Sequence, residues 1–324
     1  MTRSPENDRM LGVDIGGTKV AVGLVDINGT IVTQGRRPMV ANGTAEAALQ
    51  AVTGAIDSLV SEAGSEIQGI GICAPGPLDP KTGVVLNPPN LPCWRNFPLA
   101  EKIKDKYKLP VKVDNDANAA ALAETCWGAA QGYRYVFYAT IGTGIGTGIV
   151  YDGRIYHGNT GSAGEGGHVS IDYNGPVCGC GKKGCIEILA AGPAIGARAR
   201  AKFADSSRSS LILDLAQGDV NKVTSEFVGK AYASGDPLAR EILLETVELL
   251  APWLGNIVDL LDPDVLVMGG GVAAMLSPFF DEIKNRLPRW CVNPHVTEIP
   301  LVMAHYGADA GIAGGAALCA EDLP

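Results

Sequence analysis

The alternation of apolar and polar residues predicts three strands at the start of the chain, followed by a helix. Residues 10–36 form an apolar segment that ends in a glycine turn, an alternating segment, KVAVGLVD, and a third segment, TIVTQGR. Asn28 and Gly29, between the second and third segments, predict a two-residue hairpin turn. Residues 45–64 then place apolar side chains at helical spacing and end on Gly64, so we predict a helix there.

The next segments predict further alternation of strands and helices. An apolar strand is predicted over 66–73, and a proline-rich loop follows over 75–94. This half of the chain continues with a helix over 97–107, a strand over 109–116 and an alanine-rich helix over 117–132. The predicted order is therefore βββαβαβα.

The pattern then restarts. Residues 133–158 contain a strand, a glycine-rich turn, a second strand, the hairpin signal Asp152-Gly153 and a third strand. The later segments include a long helix over 237–261, strands over 264–271 and 299–305, and a final helix over 307–320. We predict from this an α/β fold in which one topology occurs twice.

Composition and charge narrow the class of protein. The chain has 324 residues, of which 46% are hydrophobic and 19% charged, which is typical of soluble globular domains. A net charge of −9 and a pI near 5.0 argue against nucleic acid or an anionic membrane as the partner. No apolar run reaches the ~18–20 residues of a membrane span, and the polar N-terminus lacks a signal-peptide core. We therefore expect a cytoplasmic protein.

Two glycine-rich turns are candidates for phosphate binding. In DIGGTK, which runs from Asp14 to Lys19, backbone N–H groups can face phosphate oxygens, Lys19 adds positive charge, and Asp14 could hold Mg²⁺ through water. The second turn, over 142–148, has the sequence GTGIGTG. Either turn alone is equally typical of an ordinary hairpin. Their matching places in the two repeats favour phosphate binding.

Asp116 is the candidate catalytic carboxylate. The segment DNDAN, over 114–118, ends a strand and begins a helix. Asp116 can therefore be the N-cap of that helix. It can also be the carboxylate that accepts a proton from a substrate hydroxyl during phosphoryl transfer, and the two roles are compatible.

Residues 178–187, CGCGKKGCIE, hold three of the eight cysteines in the chain. Cys178, Cys180 and Cys185 follow His168 by 10 to 17 residues, and three thiolates with one imidazole make a closed tetrahedral Zn²⁺ set. The alternatives are a disulfide bond or thiols without a ligand. Tight spacing, intervening glycines and a reducing cytoplasm favour zinc. Because four protein ligands leave no open position, this zinc is expected to be structural.

Two glutamates flank the proposed zinc loop. A loop folded onto zinc fixes the directions of its neighbours, so Glu165 and Glu187 would border a rigid clamp. Carboxylates at fixed angles can accept hydrogen bonds from vicinal sugar hydroxyls. Glu187 alone could equally be a solvated surface residue, but it lies two residues after Cys185. Three other histidines lack partners at ligand spacing and are interpreted as structural: His157, His295 and His305.

These motifs, in this order, resemble the ROK family of bacterial sugar kinases and sugar-responsive repressors. The resemblance is carried by DIGGTK, DNDANAAALAE, TIGTGIGTGIV, GEGGH with CGCGKKGCIE, and DVLVMGGGV, and runs from about Leu11 to Leu318. The zinc segment is highly specific, whereas DIGGTK is shared with actin-like ATPases and hexokinases. The resemblance implies an actin-like, ribonuclease H-like duplicated kinase fold with ATP and sugar in the cleft between two lobes.

The resemblance also implies lobe boundaries and residue roles. A flexible N-terminus over 1–9 would precede a small lobe, 10–116 with 310–324, and a large lobe, 117–309, that contains the zinc segment 165–187. Asp116 would be the general base, and contacts with the sugar are implied for Gly76, Asn90, Asn115, Asp116, Glu165, His168 and Glu187. His168 would use one ring nitrogen for zinc and the other for sugar. The phosphates and Mg²⁺ would be surrounded by Asp14, Gly16, Gly17, Thr18, Lys19, Gly142, Thr143 and Gly144. The adenosine would lie by Gly269, Gly270 and Gly271.

The implied activity is an ATP-dependent hexose kinase that uses Mg²⁺ and forms a homo-oligomer, a dimer or a tetramer. We expect D-glucose, phosphorylated at its 6-hydroxyl, because two carboxylates with His168 and Asn115 suit a ring with several free hydroxyls. The alternative is a kinase for N-acetylmannosamine, another N-acetylhexosamine or another hexose. Position 147 departs from the family, which more often has glycine there; Thr147 would weaken nucleotide binding if it approaches the nucleotide.

Two non-enzymatic functions are also open. A sugar-responsive repressor needs a DNA-binding domain of ~50 residues or more, whereas 13 residues precede Asp14 and the chain is acidic. A zinc-stabilised binding module without catalysis is disfavoured by Asp116 and by the two glycine turns. We therefore predict an enzyme.

Overall fold

The first sheet contains the three predicted N-terminal strands and two later parallel strands. In this computed structural model, residues 8–63, 67–204 and 209–320 are described. The strands are β1 (Arg9–Ile15), β2 (Lys19–Asp26), β3 (Ile31–Pro38), β4 (Ile67–Ala74) and β7 (Val111–Asn115), in the order β3-β2-β1-β4-β7. β1 pairs antiparallel with β2 and parallel with β4, and β4 pairs parallel with β7.

Helices cover this sheet because its central strands are apolar on both faces. These helices are α1 (Ala45–Ala63), α2 (Leu99–Tyr107), α3 (Asp116–Cys126) and α11 (Ala310–Ala320). Two short strands, β5 (Leu78–Asp79) and β6 (Val84–Val85), form a separate two-stranded sheet. α11 lies directly on β1 and β4. A Cβ on Gly12 would lie 1.9 Å from the backbone oxygen of Ile312, so glycine is required for this approach.

The second sheet repeats the topology of the first. Its strands are β8 (Tyr135–Ile141), β9 (Ile145–Tyr151), β10 (Arg154–Ile155), β11 (Val265–Gly269) and β12 (Leu301–Met303), in the order β10-β9-β8-β11-β12. In each sheet the third, second, first, fourth and fifth strands are therefore neighbours in that order. The predicted duplication of one topology is confirmed.

The remaining helices follow the second half of the pattern. They are α4 (Ile186–Ala190), α5 (Gly192–Ala204), α6 (Leu211–Leu215), α7 (Ser225–Ala233), α8 (Pro237–Leu261), α9 (Gly270–Leu276) and α10 (Phe280–Arg286). α8 has the predicted bounds because proline is favoured in the first turn and Asp236 caps it, accepting from the N–H of Ala239 at 2.8 Å.

Contacts divide the chain into two compact units. Unit 1 contains Met1–Tyr138, Gly148–Gly164 and His305–Pro324, and unit 2 contains Ala139–Thr147 and Glu165–Ala304. The lobe boundaries implied by the resemblance stay a prediction; residues 117–138 and 148–164, assigned there to the large lobe, pack within unit 1. Residues 1–7 and the predicted helix end at Gly64 lie outside the described residues, and Arg9 begins β1.

The two predicted hairpin turns differ. Asp152 and Gly153 both have positive φ, 49° and 75°, and Tyr151 pairs with Arg154, which confirms a two-residue turn. The turn at Asn28-Gly29 is wider than predicted: Gly29 alone has positive φ, and Val25 pairs with Ile31. The Asp26 carboxylate causes this, because it accepts from the N–H groups of Asn28 and Thr30 and stabilises a longer loop.

The alanine-rich helix α3 ends at Cys126, earlier than predicted. Glu124 is fully buried near its end, and its carboxylate accepts backbone N–H groups of Ala129, His305 and Tyr306 at 2.8 to 3.0 Å. These bonds draw the chain out of the helical path after Cys126. Among the described residues, no helix is long and apolar enough to cross a membrane.

Candidate active site

Parallel strands of unit 1 bring several predicted site residues to one edge of their sheet. In the strand register, Asp14 of β1 lies beside Cys73 of β4, and Cys73 lies beside Asp114 of β7. Asn115 ends β7 and Asp116 begins α3. Because parallel strands end at the same edge, residues far apart in the sequence come together here.

The turn between β1 and β2 is tight. The N–H of Gly16 donates to the backbone oxygen of Lys19 at 2.9 Å, and the side chains of Thr18 and Lys19 are exposed. A Cβ on Gly17 would lie 3.0 Å from the backbone oxygen of Asn90. The absence of a side chain at this glycine therefore lets the turn approach the proline-rich loop.

The two residues predicted in that loop lie near different partners. Asn90 borders Gly17, as described above, whereas Gly76 lies near Asn115: a Cβ on Gly76 would be 3.7 Å from Asn115 Nδ2. The peptide bond between Gly76 and Pro77 is cis. Gly76, Asn90, Asn115 and Gly17 thus all belong to unit 1.

Asp14 has a perturbed carboxyl group. Burial, and then the charge of Asp116, raise the pKa of Asp14 from its usual 3.8 to about 6, while Lys19 and Arg36 act in the opposite direction. The ionised form of Asp14, which is the form that would bind a cation, is therefore unfavourable as long as no cation is bound. A divalent cation would restore the carboxylate at neutral pH.

Asn115, and not Asp116, is the N-cap of α3. Its Oδ1 accepts the N–H of Ala117 at 2.9 Å and that of Asn118 at 3.4 Å. The interpretation of Asp116 as the cap is therefore wrong. Asp116 is the first residue of the helix, and its Oδ1 accepts the N–H of Ala117 at 2.8 Å.

Asp114 supports this helix start, which the sequence did not predict. Its side chain is 5% exposed, and its Oδ2 lies 2.6 Å from His157 Nε2. Its Oδ1 accepts the N–H of Asn115 at 2.7 Å and Asn118 Nδ2 at 3.1 Å. His157, interpreted as structural, thus holds the residue that precedes Asn115 and Asp116.

The second glycine turn, in unit 2, holds Glu187. The N–H of Gly142 donates to the backbone oxygen of Gly144 at 2.9 Å, and the oxygen of Gly142 accepts from Gly192 at 2.8 Å. The N–H of Ile145 donates to Glu187 Oε2 at 3.0 Å. A Cβ on Gly144 would lie 2.6 Å from the same oxygen, so glycine gives the carboxylate its room.

The four predicted zinc ligands are brought together. One ligand atom from each of His168, Cys178, Cys180 and Cys185 lies within 4.8 Å of the others. The Sγ atoms of Cys180 and Cys185 are 3.6 Å apart, and Cys178 Sγ is 3.7 Å from His168 Nδ1. Ligands ~2.0–2.3 Å from a tetrahedral Zn²⁺ are separated by ~3.5–3.8 Å. The distances fit a closed zinc set and exclude a bond of ~2.05 Å between sulfurs.

The loop geometry explains two of the three glycines between the cysteines, Gly181 and Gly184. The N–H of Cys178 donates to the oxygen of Lys182 at 2.7 Å, which closes a tight turn with Gly181 at a φ of 89°. Gly184 also has positive φ, and a Cβ there would lie 1.7 Å from the backbone oxygen of Asp172. Only glycine allows this segment to bring the cysteines to one point.

The pKa values of two thiols in the cluster are shifted in opposite directions. Burial, and then the neighbouring Cys180 and Cys178, raise the pKa of Cys185 to about 12. The backbone N–H of Lys182 lowers the pKa of Cys180. The Cys185 thiol therefore does not ionise at neutral pH without a cation to compensate its charge, and the donor set of three sulfurs and one imidazole suits zinc.

Glu165 and His168 belong to a short segment that is held from both sides. The N–H of Gly166 donates to Thr147 Oγ1 at 2.8 Å, and Trp253 Nε1 donates to the backbone oxygen of Gly166 at 3.0 Å. Thr147 is 4% exposed, and Trp253 is fully buried. The Thr147 hydroxyl therefore binds the segment that carries Glu165, which is itself exposed.

A cavity of about 520 Å³ lies in unit 2 beside the second glycine turn. It is lined by Gly142, Thr143, Gly192, Pro193, Gly196, Arg200, Thr224, Ser225, Glu226, Gly271, Val272 and Met275. Three of these were predicted as nucleotide-binding: Gly142, Thr143 and Gly271. Of the other predicted glycines, Gly269 caps α9, and Gly270 has a φ of 86° and packs against the oxygen of Ile141.

The structure therefore groups the predicted residues within each unit. In unit 1, Asp14 and the turn to Lys19 accompany Gly76, Asn90, Asn115 and Asp116. In unit 2, the Gly142–Gly144 turn accompanies Glu187, the zinc cluster and the cavity. Most of the cavity lining was not predicted, because residues such as Arg200, Ser225 and Met275 lie on helices with no motif of their own.

The family model described as "ROK family" matches residues 10–322. The chain belongs to the ROK family. The family resemblance of the sequence motifs is thereby confirmed. The enzyme class is confirmed as well, since the relatives reported below include a glucokinase and an N-acetylmannosamine kinase.

Individual ROK relatives extend over nearly the whole chain. A glucokinase of Streptomyces coelicolor is 34% identical over 316 residues, 97% of this chain and 98% of the relative. An N-acetylmannosamine kinase of Escherichia fergusonii is 32% identical over 308 residues, 95% and 97% of the two chains. A ROK glucokinase of Streptomyces griseus, solved with glucose and AMPPNP, has a TM-score of 0.81 at 34% identity and covers 96% of this chain and 98% of its own. This likeness confirms the predicted fold class.

Proposed function

We propose that this protein is an ATP-dependent hexose kinase that phosphorylates D-glucose at the 6-hydroxyl. The observation that carries the proposal is the position of Glu187. One of its oxygens accepts an N–H from the second glycine turn, and the other lies 3.9 Å from His168 Nδ1 in the Cys/His cluster. The likeness to full-length ROK glucokinases supports the same activity.

Sugar recognition rests on fixed hydrogen-bond acceptors. Glu187 and His168 are each about one-third exposed, 30% and 29%, so both can contact a ligand while the cluster fixes their direction. In unit 2, Glu165, held through Gly166, adds a second carboxylate. In unit 1, Asn115 offers an amide next to Asp116 in the sequence. A sugar that lacks a hydroxyl facing one of these groups leaves it unpaired, at a cost of ~1–3 kcal/mol.

Asp116 is proposed as the general base. It accepts the proton of the sugar 6-hydroxyl as that oxygen forms its bond to the γ-phosphorus, while the bond from phosphorus to the ADP oxygen breaks. The helix start at Asn115 fixes the position of Asp116 in the first turn of α3.

Nucleotide binding is assigned to the glycine turns and to the unit 2 cavity. We place the adenosine against Val272, Met275 and Gly271, because an apolar cavity of this size suits a nucleoside. Asp14 and Lys19 are the proposed Mg²⁺ and phosphate ligands of unit 1, and the turn 142–144 is the proposed phosphate ligand of unit 2. ATP with Mg²⁺ would supply the phosphoryl group and neutralise its charge. Zinc is proposed as a structural ion, one per chain, and its thiolate set suits a reducing cytoplasm.

A coupled assay of ADP release tests the proposal. We expect kcat/KM for glucose to exceed that for N-acetylmannosamine, N-acetylglucosamine, mannose, fructose and allose. N-acetylmannosamine kinase is the second candidate, favoured by the relative at 32% identity. If an N-acetylhexosamine is the better substrate, the choice of glucose is wrong and the kinase assignment stands. Turnover of no sugar, together with specific retention of operator DNA in a gel-shift assay, would favour a repressor.

A further inference from the structure

A second cavity, of about 460 Å³, lies in unit 1. Its walls come from the turn 80–83, from residues 111–114 of β7, from Arg154–His157, and from single residues of α2 and α11, Ala100 and Leu318. β7 is an edge strand of the first sheet, so the cavity lies along an edge that no further strand covers. Its volume is within the range of small-molecule sites.

The lining of this cavity is basic although the protein is acidic. Four basic side chains contribute to it, Lys81, Lys112, Arg154 and His157, against one acidic side chain, Asp114. The Asp114 oxygens are already occupied: Oδ2 by His157, and Oδ1 by the N–H of Asn115 and by Asn118 Nδ2. Within the described residues, Arg154 forms no ion pair. Basic side chains therefore outnumber acidic ones in the lining, and Lys81 and Arg154 are the exposed cations among them.

We propose that this cavity binds a small phosphate monoester. Arginine and lysine together match a phosphate dianion, arginine through two parallel hydrogen bonds and lysine as a point charge. The lining is otherwise largely apolar, and the partly exposed side chains of Ala100, Val111 and Ile155 can contact the uncharged body of the ligand. A sugar phosphate satisfies both parts, whereas inorganic phosphate satisfies only the charged part.

The cavity is joined to the proposed active site by two hydrogen bonds. Asp114 Oδ2 lies 2.6 Å from Nε2 of His157, which lines the cavity, and Asp114 Oδ1 accepts the N–H of Asn115 at 2.7 Å. A phosphate that binds His157 competes with the Asp114 carboxylate for the imidazole. Asp114 hydrogen-bonds Asn115 and Asn118 at the start of α3, so this competition alters the position of Asp116. Occupancy is therefore expected to lower kcat at saturating glucose and ATP; this consequence, unlike the binding itself, rests on the proposed function.

Calorimetric titration of the full chain with glucose 6-phosphate tests the site. We expect a binding event that persists in Glu187→Gln, in which product binding at the proposed sugar site is weakened. This event should weaken at least ~10-fold in the Lys81→Gln/Arg154→Gln double variant, because each charge-assisted hydrogen bond lost costs roughly that factor. The matched control is Lys222→Gln/Arg240→Gln, which removes the same charges from surface ion pairs of unit 2. This control should bind as the wild type does.

Two results would overturn the proposal. Equal affinity of the wild type and the cavity double variant, both with wild-type melting temperature, would show that these cations do not hold the ligand. Loss of all binding in Glu187→Gln would place the ligand in the sugar site. A separate titration with inorganic phosphate distinguishes the two ligands. If inorganic phosphate binds as tightly as glucose 6-phosphate, the site is assigned to phosphate ion. If inorganic phosphate binds at least ~10-fold more weakly, the site is assigned to a sugar phosphate, because the apolar wall then contributes to affinity. Absence of kinase activity would refute the proposed function and leave these titrations unaffected.

Discussion

Replacing Asp14 by asparagine should stabilise the free protein while abolishing its activity. Burial and the nearby charge of Asp116 disfavour the Asp14 carboxylate, so its pKa lies near 6 and not at 3.8. Asparagine has nearly the same volume and carries no charge, and it therefore mimics the protonated side chain. The substitution removes the electrostatic cost of ionisation and, with it, the proposed ligand of Mg²⁺.

The size of the effect follows from the pKa. A difference of about 2 in pKa corresponds to about 3 kcal/mol, which is an upper value because the side chain is only partly shielded from water. We expect about 1–2 kcal/mol of added unfolding free energy at pH 8. Because the folded pKa is raised, ionisation destabilises the native state progressively as the pH rises from about 4 to above 6. The advantage of asparagine should therefore be complete above pH 7 and absent near pH 4.

Differential scanning calorimetry without nucleotide or metal measures this effect. One kcal/mol should shift the melting temperature of a protein of this size by about 1.5 °C. Asp281→Asn, at an exposed position of α10, is the matched control and should show no such dependence on pH. The reasoning would be refuted if Asp14→Asn melted no higher than the wild type at pH 8. It would also be refuted if the difference in melting temperature were the same at pH 4 and pH 8.

Four further substitutions or treatments test separate parts of the site. Asp116→Asn should leave the fold and sugar binding intact and lower kcat by ~10²–10⁴-fold; near-normal turnover in the coupled assay would exclude a general base. Metal analysis should find one zinc per chain, and a chelator should lower both the melting temperature and sugar affinity; active protein without zinc contradicts this. Glu187→Gln should raise KM for glucose by at least ~10-fold, measured with zinc content unchanged; an unchanged KM contradicts its contact with sugar. Thr147→Val should raise KM for glucose several-fold and leave KM for ATP unchanged, with Thr147→Ser close to the wild type; the opposite pattern would place residue 147 at the nucleotide.

The sequence predicted features that depend on local chemistry. Strand alternation and glycine turns predicted the order of the elements and its repetition, since each signal lies within a few residues of its effect. The Cys/His cluster was predicted for the same reason: three cysteines within eight residues, separated by glycines, can reach one point only in a tight loop. These predictions needed no knowledge of which segments are neighbours in space.

Features made by distant segments were not predicted. Asp114 and His157 are 43 residues apart, and Glu124 binds backbone N–H groups more than 180 residues away. Neither interaction can be recognised in the sequence, because a buried carboxylate cannot be told from an exposed one before its partners in the fold are known. The nucleotide cavity is similar, since its wall comes from α5, α7 and α9 and contains no motif beyond the glycines.

Thr147 shows how a structure can change the meaning of a sequence observation. A β-branched residue in place of glycine predicts interference with nucleotide binding if its side chain faces the nucleotide. The side chain is instead buried, its hydroxyl accepts the N–H of Gly166 at 2.8 Å, and a Cβ on Gly166 would lie at the same distance from that hydroxyl. The two positions are therefore complementary: Thr147 fills space that Gly166 leaves open. We infer that the departure from the family acts on the segment that carries Glu165 and His168, and so on the sugar side of the proposed reaction.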